Sequence, residues 1–190
     1  MLTDKIARAV QEQNSFLEDF NVQAEAMADF AGRVAESFHQ GGRLLLLGSG
    51  SLGAVANLVA NQFMHRLALE RPPLPVFSLC HDITLATALE RDGQGRQFFA
   101  RQLRVVATAK DIVLALADFH RDEAIEGGLT AGRQAGSLTA ALRPGPEEPV
   151  GEAPDFLFRL DTLSVPRAIE GALFFGHLLC EMIEKELFGI

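Results

Sequence analysis

The residues best suited to chemistry stand between an apolar run and an alanine-rich segment in the first third of the chain. Leucines at positions 44–47 lead directly into a short loop of small and hydroxyl-bearing residues. Glycine lets a backbone approach an anion closely, and a helix that begins after the loop offers free N–H groups and a partial positive charge. We therefore predict a phosphate or ligand loop made of Gly48, Ser49, Gly50, Ser51 and Leu52. An ordinary strand-to-helix turn has the same pattern, and Gly53 is poorly placed for a dinucleotide-binding motif.

The elements that must position this loop alternate between short apolar runs and helical patterns. The predicted strands are 43–47, 76–79, 111–116, 137–142 and 155–160. The predicted helices are 3–40 with a break near Asn21, 52–67, 82–104 with a break at 92–95, 122–134, and a long one from near Pro166 to about Phe188. Mostly apolar strands that alternate with helices predict a parallel sheet covered on both faces. Ligands of such folds bind at the carboxyl ends of the strands, where the loop lies.

Two connecting segments are rich in proline. Residues 143–154, rich also in glycine and glutamate, are predicted as a surface loop. Residues 70–75 form a stiff connector, and Arg66 and Arg71 near its start are expected to make surface ion pairs.

The composition fits one compact domain and argues against several classes of function. The chain has 190 residues, of which 48% are apolar and 22% are charged, with a formal net charge of −8. An acidic surface repels phosphate backbones, so direct binding to nucleic acid is not expected. The longest uncharged stretch, between Arg43 and His65, is interrupted by polar residues and does not predict a membrane span. With two distant cysteines, Cys80 and Cys180, and no signal peptide, we expect buried thiols and a cytoplasmic location.

Four segments together resemble a known family. They read ESFHQGGRLLLLGSGSLGAVANLVANQFMHRL (36–67), ERPPLPVFSL (70–79), DITLATALERD (82–92) and RAIEGALFFGHLLCEMIEKELF (167–188). They resemble the sugar isomerase (SIS) domain, in the branch of the phosphoheptose isomerases and the DnaA initiator-associating protein. The resemblance implies one domain, 1–190, with a three-layer α/β/α flavodoxin-like SIS fold and a five-stranded parallel sheet. It also implies N-terminal oligomerisation helices (1–40), an α/β core (41–190) that ends in a long helix, and a homotetramer or homodimer.

The resemblance also places two serine-bearing loops that bind sugar phosphates in the family. In the first loop Ser49 and Ser51 are present, but Leu52 stands where the family carries its main phosphate-contacting serine. The second loop matches residues 117–122. The first loop is therefore kept in part, and the second differs throughout.

The second loop has exchanged hydroxyl donors for acids. Ala117 and Asp122 take the places of serines, and Asp118 takes the place of a threonine. Carboxylates repel a phosphate ester, and a carboxylate at a helix start satisfies the free N–H groups itself. We therefore predict a degenerate second loop, although His120 and Arg121 could offset the repulsion.

The catalytic positions that the resemblance implies are also changed. An isomerase of this type moves a proton between two carbons and needs an acid and a base. Gln62 stands at the family's glutamate position and His177 at its histidine position, while Leu58 and Ile169 replace a histidine and a glutamine. A glutamine amide does not accept a proton near neutral pH.

Some family members bind zinc through this cluster, and the changes argue against zinc here. Leucine and isoleucine offer no metal ligand, so no metal and no cofactor are predicted. A rebuilt site is the alternative, because Gln62 and His65 lie on one helix face from which His65 could reach towards His177.

Two functions from different classes follow. The first is a degenerate, non-catalytic SIS protein that acts as an oligomeric carbohydrate-derivative-binding or interaction module. The second is an active sugar-phosphate isomerase of the sedoheptulose 7-phosphate type with a rearranged site. A protein partner such as a replication initiator is a narrower idea that rests on analogy with the non-enzymatic relative.

Overall fold

The computed structural model describes residues 2–146 and 152–189, in which five strands alternate with helices. The strands are β1 Leu44–Gly48, β2 Val76–Ser78, β3 Ile112–Leu116, β4 Leu138–Pro144 and β5 Phe156–Leu160. The helices are α1 Leu2–Val22, α2 Ala24–His39, α3 Ser51–Met64, α4 Ile83–Arg91, α5 Phe98–Val106, α6 Glu123–Gln134 and α7 Val165–Phe188, with a short 3-10 helix at Gly95–Gln97. The part of the predicted surface loop at 147–151 lies outside the described residues.

All five strands run parallel in one sheet, in the order β2-β1-β3-β4-β5. The central strands β1 and β3 are buried at every residue, and Leu45 lies between Phe77 on one side and Val113 on the other. Such strands have no polar face, so both sides of the sheet need a cover of helices. The predicted three-layer α/β architecture is confirmed.

A separate apolar core lies on each face of the sheet. The larger core holds side chains from α2, α3 and α7, and its aromatic centre brings Phe158 of β5 within 5.1 Å of Phe175 and 5.4 Å of Phe30, measured between ring centroids. The smaller core packs Phe99 and Leu103 of α5 with residues of α6 against the other face. The first face therefore carries α3 and α7, which hold the predicted catalytic positions.

The break between the first two helices attaches them to the edge of the sheet. Helix α1 ends at Val22 and α2 begins at Ala24, so the break predicted near Asn21 lies at Gln23. The Gln23 amide donates to the carbonyl of Arg159 at 2.8 Å and accepts from the N–H of the same residue at 2.7 Å. One side chain thus satisfies both backbone groups of a residue on edge strand β5, which would otherwise need another partner.

The starts of β1 and β3 are joined by an ion pair. Arg43 donates through Nε and a terminal nitrogen to the two oxygens of Asp111, at 3.0 and 2.8 Å. Burial alone would raise the pKa of the Asp111 carboxyl, but hydrogen bonds from Arg43 and Thr108 outweigh it, so the pKa is lowered. This pair fixes the register of the two strands that carry the candidate loops.

The expectation of surface ion pairs at both connector arginines is wrong for one of them. Arg66 pairs with Glu70 on the surface, but the Arg71 guanidinium is buried and donates to Glu184 of α7 at 2.7 Å. Arg71 also donates to the carbonyls of Gln62 and Phe63, which explains why α3 ends at Met64 rather than at the predicted position 67. Burial, followed by the charge of Glu184, raises the pKa of the neighbouring Cys180 thiol to about 12.

None of the helices within residues 2–146 and 152–189 is long and apolar enough to cross a membrane.

Candidate functional site

The first loop joins β1 to α3 through a turn built by glycine. Gly50 has φ +54° and ψ −127°, a backbone conformation that residues with a side chain rarely adopt. A Cβ on Gly48 would stand 2.6 Å from the Leu52 carbonyl oxygen, and one on Gly53 would stand 2.8 Å from the Gly48 carbonyl oxygen. Tight packing of the turn therefore accounts for its glycines without any ligand.

The side chains of the same loop divide into an exposed and a buried group. Ser49 and Ser51 are exposed, and α3 begins at Ser51, so hydroxyl groups and the first N–H groups of a helix stand together. Leu52 is buried in the larger core with 5% of its surface exposed. The position where the family carries a phosphate-contacting serine therefore serves core packing in this chain.

In the second loop a carboxylate occupies the helix start. Asp122 caps α6 by accepting from the N–H groups of Ala124 at 2.8 Å and Ile125 at 3.2 Å. Asp118 is exposed and accepts from the N–H of Phe119 at 2.7 Å. The two α6 donors bonded to Asp122 are thus already satisfied by the chain itself.

The two loops face one cleft of about 840 Å³ at the carboxyl edge of the sheet. Most of the predicted ligand-loop residues line it, namely Ser49, Gly50, Ser51, Leu52, Asp118, His120, Arg121 and Asp122. Two do not, because Gly48 is buried at the end of β1 and Ala117 faces a neighbouring cavity. The first turn of α7 closes the cleft with Val165, Ala168 and Ile169.

Sequence reasoning missed several residues that line this cleft. Glu90 comes from the last turn of α4, Gly93, Gly95 and Arg96 from the turn and 3-10 helix that follow it, and Glu123 from the start of α6. The predicted helix break at 92–95 was the available signal, since a glycine-containing break between helices marks a loop at an element end. It gave no indication that this turn lies opposite the first loop.

Acidic side chains outnumber arginines in the lining of the cleft. Four carboxylates line it, from Glu90, Asp118, Asp122 and Glu123, against the guanidinium groups of Arg96 and Arg121. Both side-chain oxygens of Glu126 accept from the Arg121 Nε, at 3.1 and 3.0 Å, so Arg121 is already neutralised. A phosphate dianion entering this cleft would meet a net negative surface.

The two predicted catalytic side chains contact each other away from the cleft. The Nε2 atoms of Gln62 on α3 and His177 on α7 lie 2.8 Å apart. His177 lies about 12 Å along α7 from Ile169 at the cleft, at 1.5 Å per residue. An amide nitrogen only donates, so in this contact His177 Nε2 is the acceptor.

The residues around this pair do not fit a zinc ion. His65, the alternative ligand, is exposed just beyond the end of α3, while Gln62 makes the contact with His177. Leu58 and Ile169 supply no donor atom, so two protein ligands remain where a zinc site needs three or four. Within residues 2–146 and 152–189, no group of three or more His, Cys, Asp or Glu side chains is placed to hold a metal.

Solved structures define the class of protein. A phosphoheptose isomerase from Francisella tularensis superposes with a TM-score of 0.85 at 23% identity, over 97% of this chain and 99% of that one. A phosphoheptose isomerase from Neisseria gonorrhoeae gives a TM-score of 0.86 at 18% identity, over 97% and 100% of the two chains. The fold is therefore that of the SIS phosphosugar isomerases.

Sequence relatives define the family within that class. The phosphoheptose isomerase of Trichlorobacter lovleyi is 30% identical over 186 residues, which cover 97% of this chain and 95% of the relative. The phosphoheptose isomerase of Pelobacter propionicus is 31% identical over 163 residues, 86% of each chain. No family model matches the chain. The chain belongs to the phosphoheptose isomerase family.

Proposed function

We propose that this chain is a non-catalytic member of the family, an oligomeric module that binds a carbohydrate derivative or a partner. The observation that carries the proposal is the Gln62–His177 contact, in which an amide stands where isomerisation needs a base. The acidic cleft supports the same conclusion, because it offers carboxylates and serine hydroxyls to an uncharged or amine-bearing sugar and repels a phosphate ester.

An active isomerase of the sedoheptulose 7-phosphate type is the second candidate. Its support is the match to phosphoheptose isomerases over nearly the full length of both chains. Catalysis in that case would use a base other than Gln62.

Turnover of sedoheptulose 7-phosphate separates the two candidates. We expect the wild-type chain to give product at the rate of a protein-free control. If product forms faster, His177→Asn abolishes it while His65→Asn, a change at an exposed histidine on the same segment, does not. That result would establish the active isomerase and overturn the proposal.

The charge argument for the cleft has its own test. Asp118→Ser with Asp122→Ser removes two of four carboxylates, and serine still caps a helix, so α6 keeps a capping residue. We expect the double variant to gain thermal stabilisation by phosphate esters that the wild-type chain lacks. Glu152→Ser, at an exposed acid outside the cleft, is the matched control. An unchanged response in the double variant would show that these acids are not the obstacle.

Self-association, a cytoplasmic location and a replication initiator as partner remain parts of the proposal. Apolar side chains on α1 support self-association, since Leu2, Ile6 and Val10 are 84%, 67% and 54% exposed. The initiator rests on the resemblance alone.

A further inference from the structure

A second cavity, of about 430 Å³, lies beside the cleft on the α6 face of the sheet. Arg96, Arg121 and Glu123 line both spaces and form the wall between them. The inner wall is made of small and apolar residues, with Ala117 after β3, Ala141 on β4, and Ile125 and Leu129 on α6. Pockets of this size and lining commonly hold small molecules.

Arg143, on β4, faces this cavity. Arg143 and Ala141 are two positions apart on β4, so their side chains point to the same face, and both line the cavity. Arg143 is half-buried, and its Nε is shielded from solvent without a hydrogen-bond acceptor. Within residues 2–146 and 152–189 its guanidinium makes no hydrogen bond or ion pair. A guanidinium in this state is available to bind a carboxylate.

None of the acids that line the cavity within residues 2–146 and 152–189 neutralises Arg143. Glu126 is held by Arg121 at 3.0 Å, and the exposed Glu152 is held by Arg133 at 3.1 Å. Arg96, at the shared wall, also has no ion pair in the described part of the chain. The remaining carboxylate, Glu123, is exposed in the first turn of α6, where it favours a ligand with one negative charge over a dianion.

We propose that this cavity binds a small organic carboxylate. The carboxylate pairs with the guanidinium of Arg143, and the apolar part of the ligand lies on Ala117, Ala141 and Leu129. The site is separate from the cleft between the two loops, and it does not depend on whether that cleft is catalytic.

Benzoate is a suitable probe because it joins one carboxylate to an apolar ring. We expect benzoate to raise the melting temperature of the full chain in a saturable way, while benzyl alcohol, its uncharged analogue, does not. Titration calorimetry then gives the affinity. Arg143→Met keeps the length of the side chain and removes its charge, and we expect it to weaken benzoate binding by on the order of tenfold or more.

Two further variants keep the test decisive. Arg104→Met, at an exposed arginine on α5 outside this cavity, removes the same charge and should bind benzoate as the wild type does. Thr130→Trp fills the cavity from its exposed wall and should abolish binding even if Arg143→Met fails to fold. The proposal is overturned if the wild type gives no saturable response at about 10 mM benzoate. It is equally overturned if Arg143→Met and Thr130→Trp bind as tightly as Arg104→Met.

Discussion

Arg66 and Arg71 stand at the two ends of one turn of chain and show how burial decides the value of a charge. Arg66 and Glu70 form an exposed pair, with 43% and 83% of their side chains accessible. Arg71 and Glu184 are buried, with 1% and 5% accessible, and Arg71 also binds two carbonyls at the end of α3. Arg66 contacts only a surface carboxylate, whereas Arg71 joins α3, the connector and α7.

Replacing each arginine by methionine measures this difference. Arg71→Met leaves Glu184 as an unpaired buried charge and should lower the free energy of unfolding by about 3–5 kcal/mol. Arg66→Met, the matched control, should cost less than about 1 kcal/mol. Urea denaturation of both variants provides the measurement. Equal losses in the two variants would mean that the Arg71 pair contributes no more than a surface contact.

A second replacement distinguishes the charge from the packing. Adding Glu184→Leu to Arg71→Met removes the stranded carboxylate and should recover part of the lost stability, because an apolar pair of similar volume can replace a buried ion pair. If stability did not recover, the loss would come from the hydrogen bonds that Arg71 donates to the carbonyls at the end of α3.

At the scale of elements, the close approach of α3 and α7 depends on one glycine. A Cβ on Gly176 would overlap the side chain of Val59, so the two helices can only lie at their present separation without it. The contact stands beside Gln62 and His177, whose 2.8 Å separation depends on the same spacing.

Gly176→Ala tests this contact. The added methyl group forces the helices apart, and we expect a loss of about 1–3 kcal/mol in the free energy of unfolding. Val59→Ala in the same chain should restore part of it by making room. Gly32→Ala, at a helical glycine with nothing within 4 Å, should instead be neutral or stabilising by up to about 1 kcal/mol. A destabilisation of equal size at both glycines would contradict the steric argument.

The elements themselves were predictable, because each leaves a local signal. Apolar runs such as 44–47 and 112–116 have the composition of doubly covered strands, and the helical stripes repeat at a fixed spacing. Partners distant in sequence leave no such signal. Neither the pairing of Arg71 with Glu184 nor the contact of Gln62 with His177 can be read from periodicity, since helix packing creates both.

The candidate site likewise has features that the sequence predicts and features that it does not. The two loops follow β1 and β3, and adjacent parallel strands end at one edge of the sheet, so their meeting in one cleft follows from the topology. The cap formed by Asp122 follows from its position before a helix. The turn after α4 contributes to the cleft, and Arg143 faces the next cavity, because of how the loops fold over that edge. That folding leaves no signal in the local sequence.

At the scale of the whole molecule, the N-terminal helix α1 has an apolar face that is exposed to solvent in the single chain. Leu2, Ile6 and Val10 are spaced four residues apart, so they lie on one side of α1, and each is more than half exposed. Arg167 of α7 donates to Gln13 at 2.8 Å and holds the middle of α1 against the body of the molecule. The exposed face is therefore presented in a fixed direction, which suits a second copy of the chain.

Ile6→Glu with Val10→Glu tests the proposed self-association. Two carboxylates on this face would have to be buried without a partner, so we expect the oligomer to dissociate to the mass of one chain in size-exclusion chromatography with light scattering. Gln11→Glu with Ser15→Glu adds the same charge at exposed polar positions of the same helix and should leave the mass unchanged. Circular dichroism of both variants checks that α1 still folds. A wild-type chain that elutes as a monomer, or an Ile6→Glu/Val10→Glu variant that keeps the wild-type mass, would show that this face does not join the subunits.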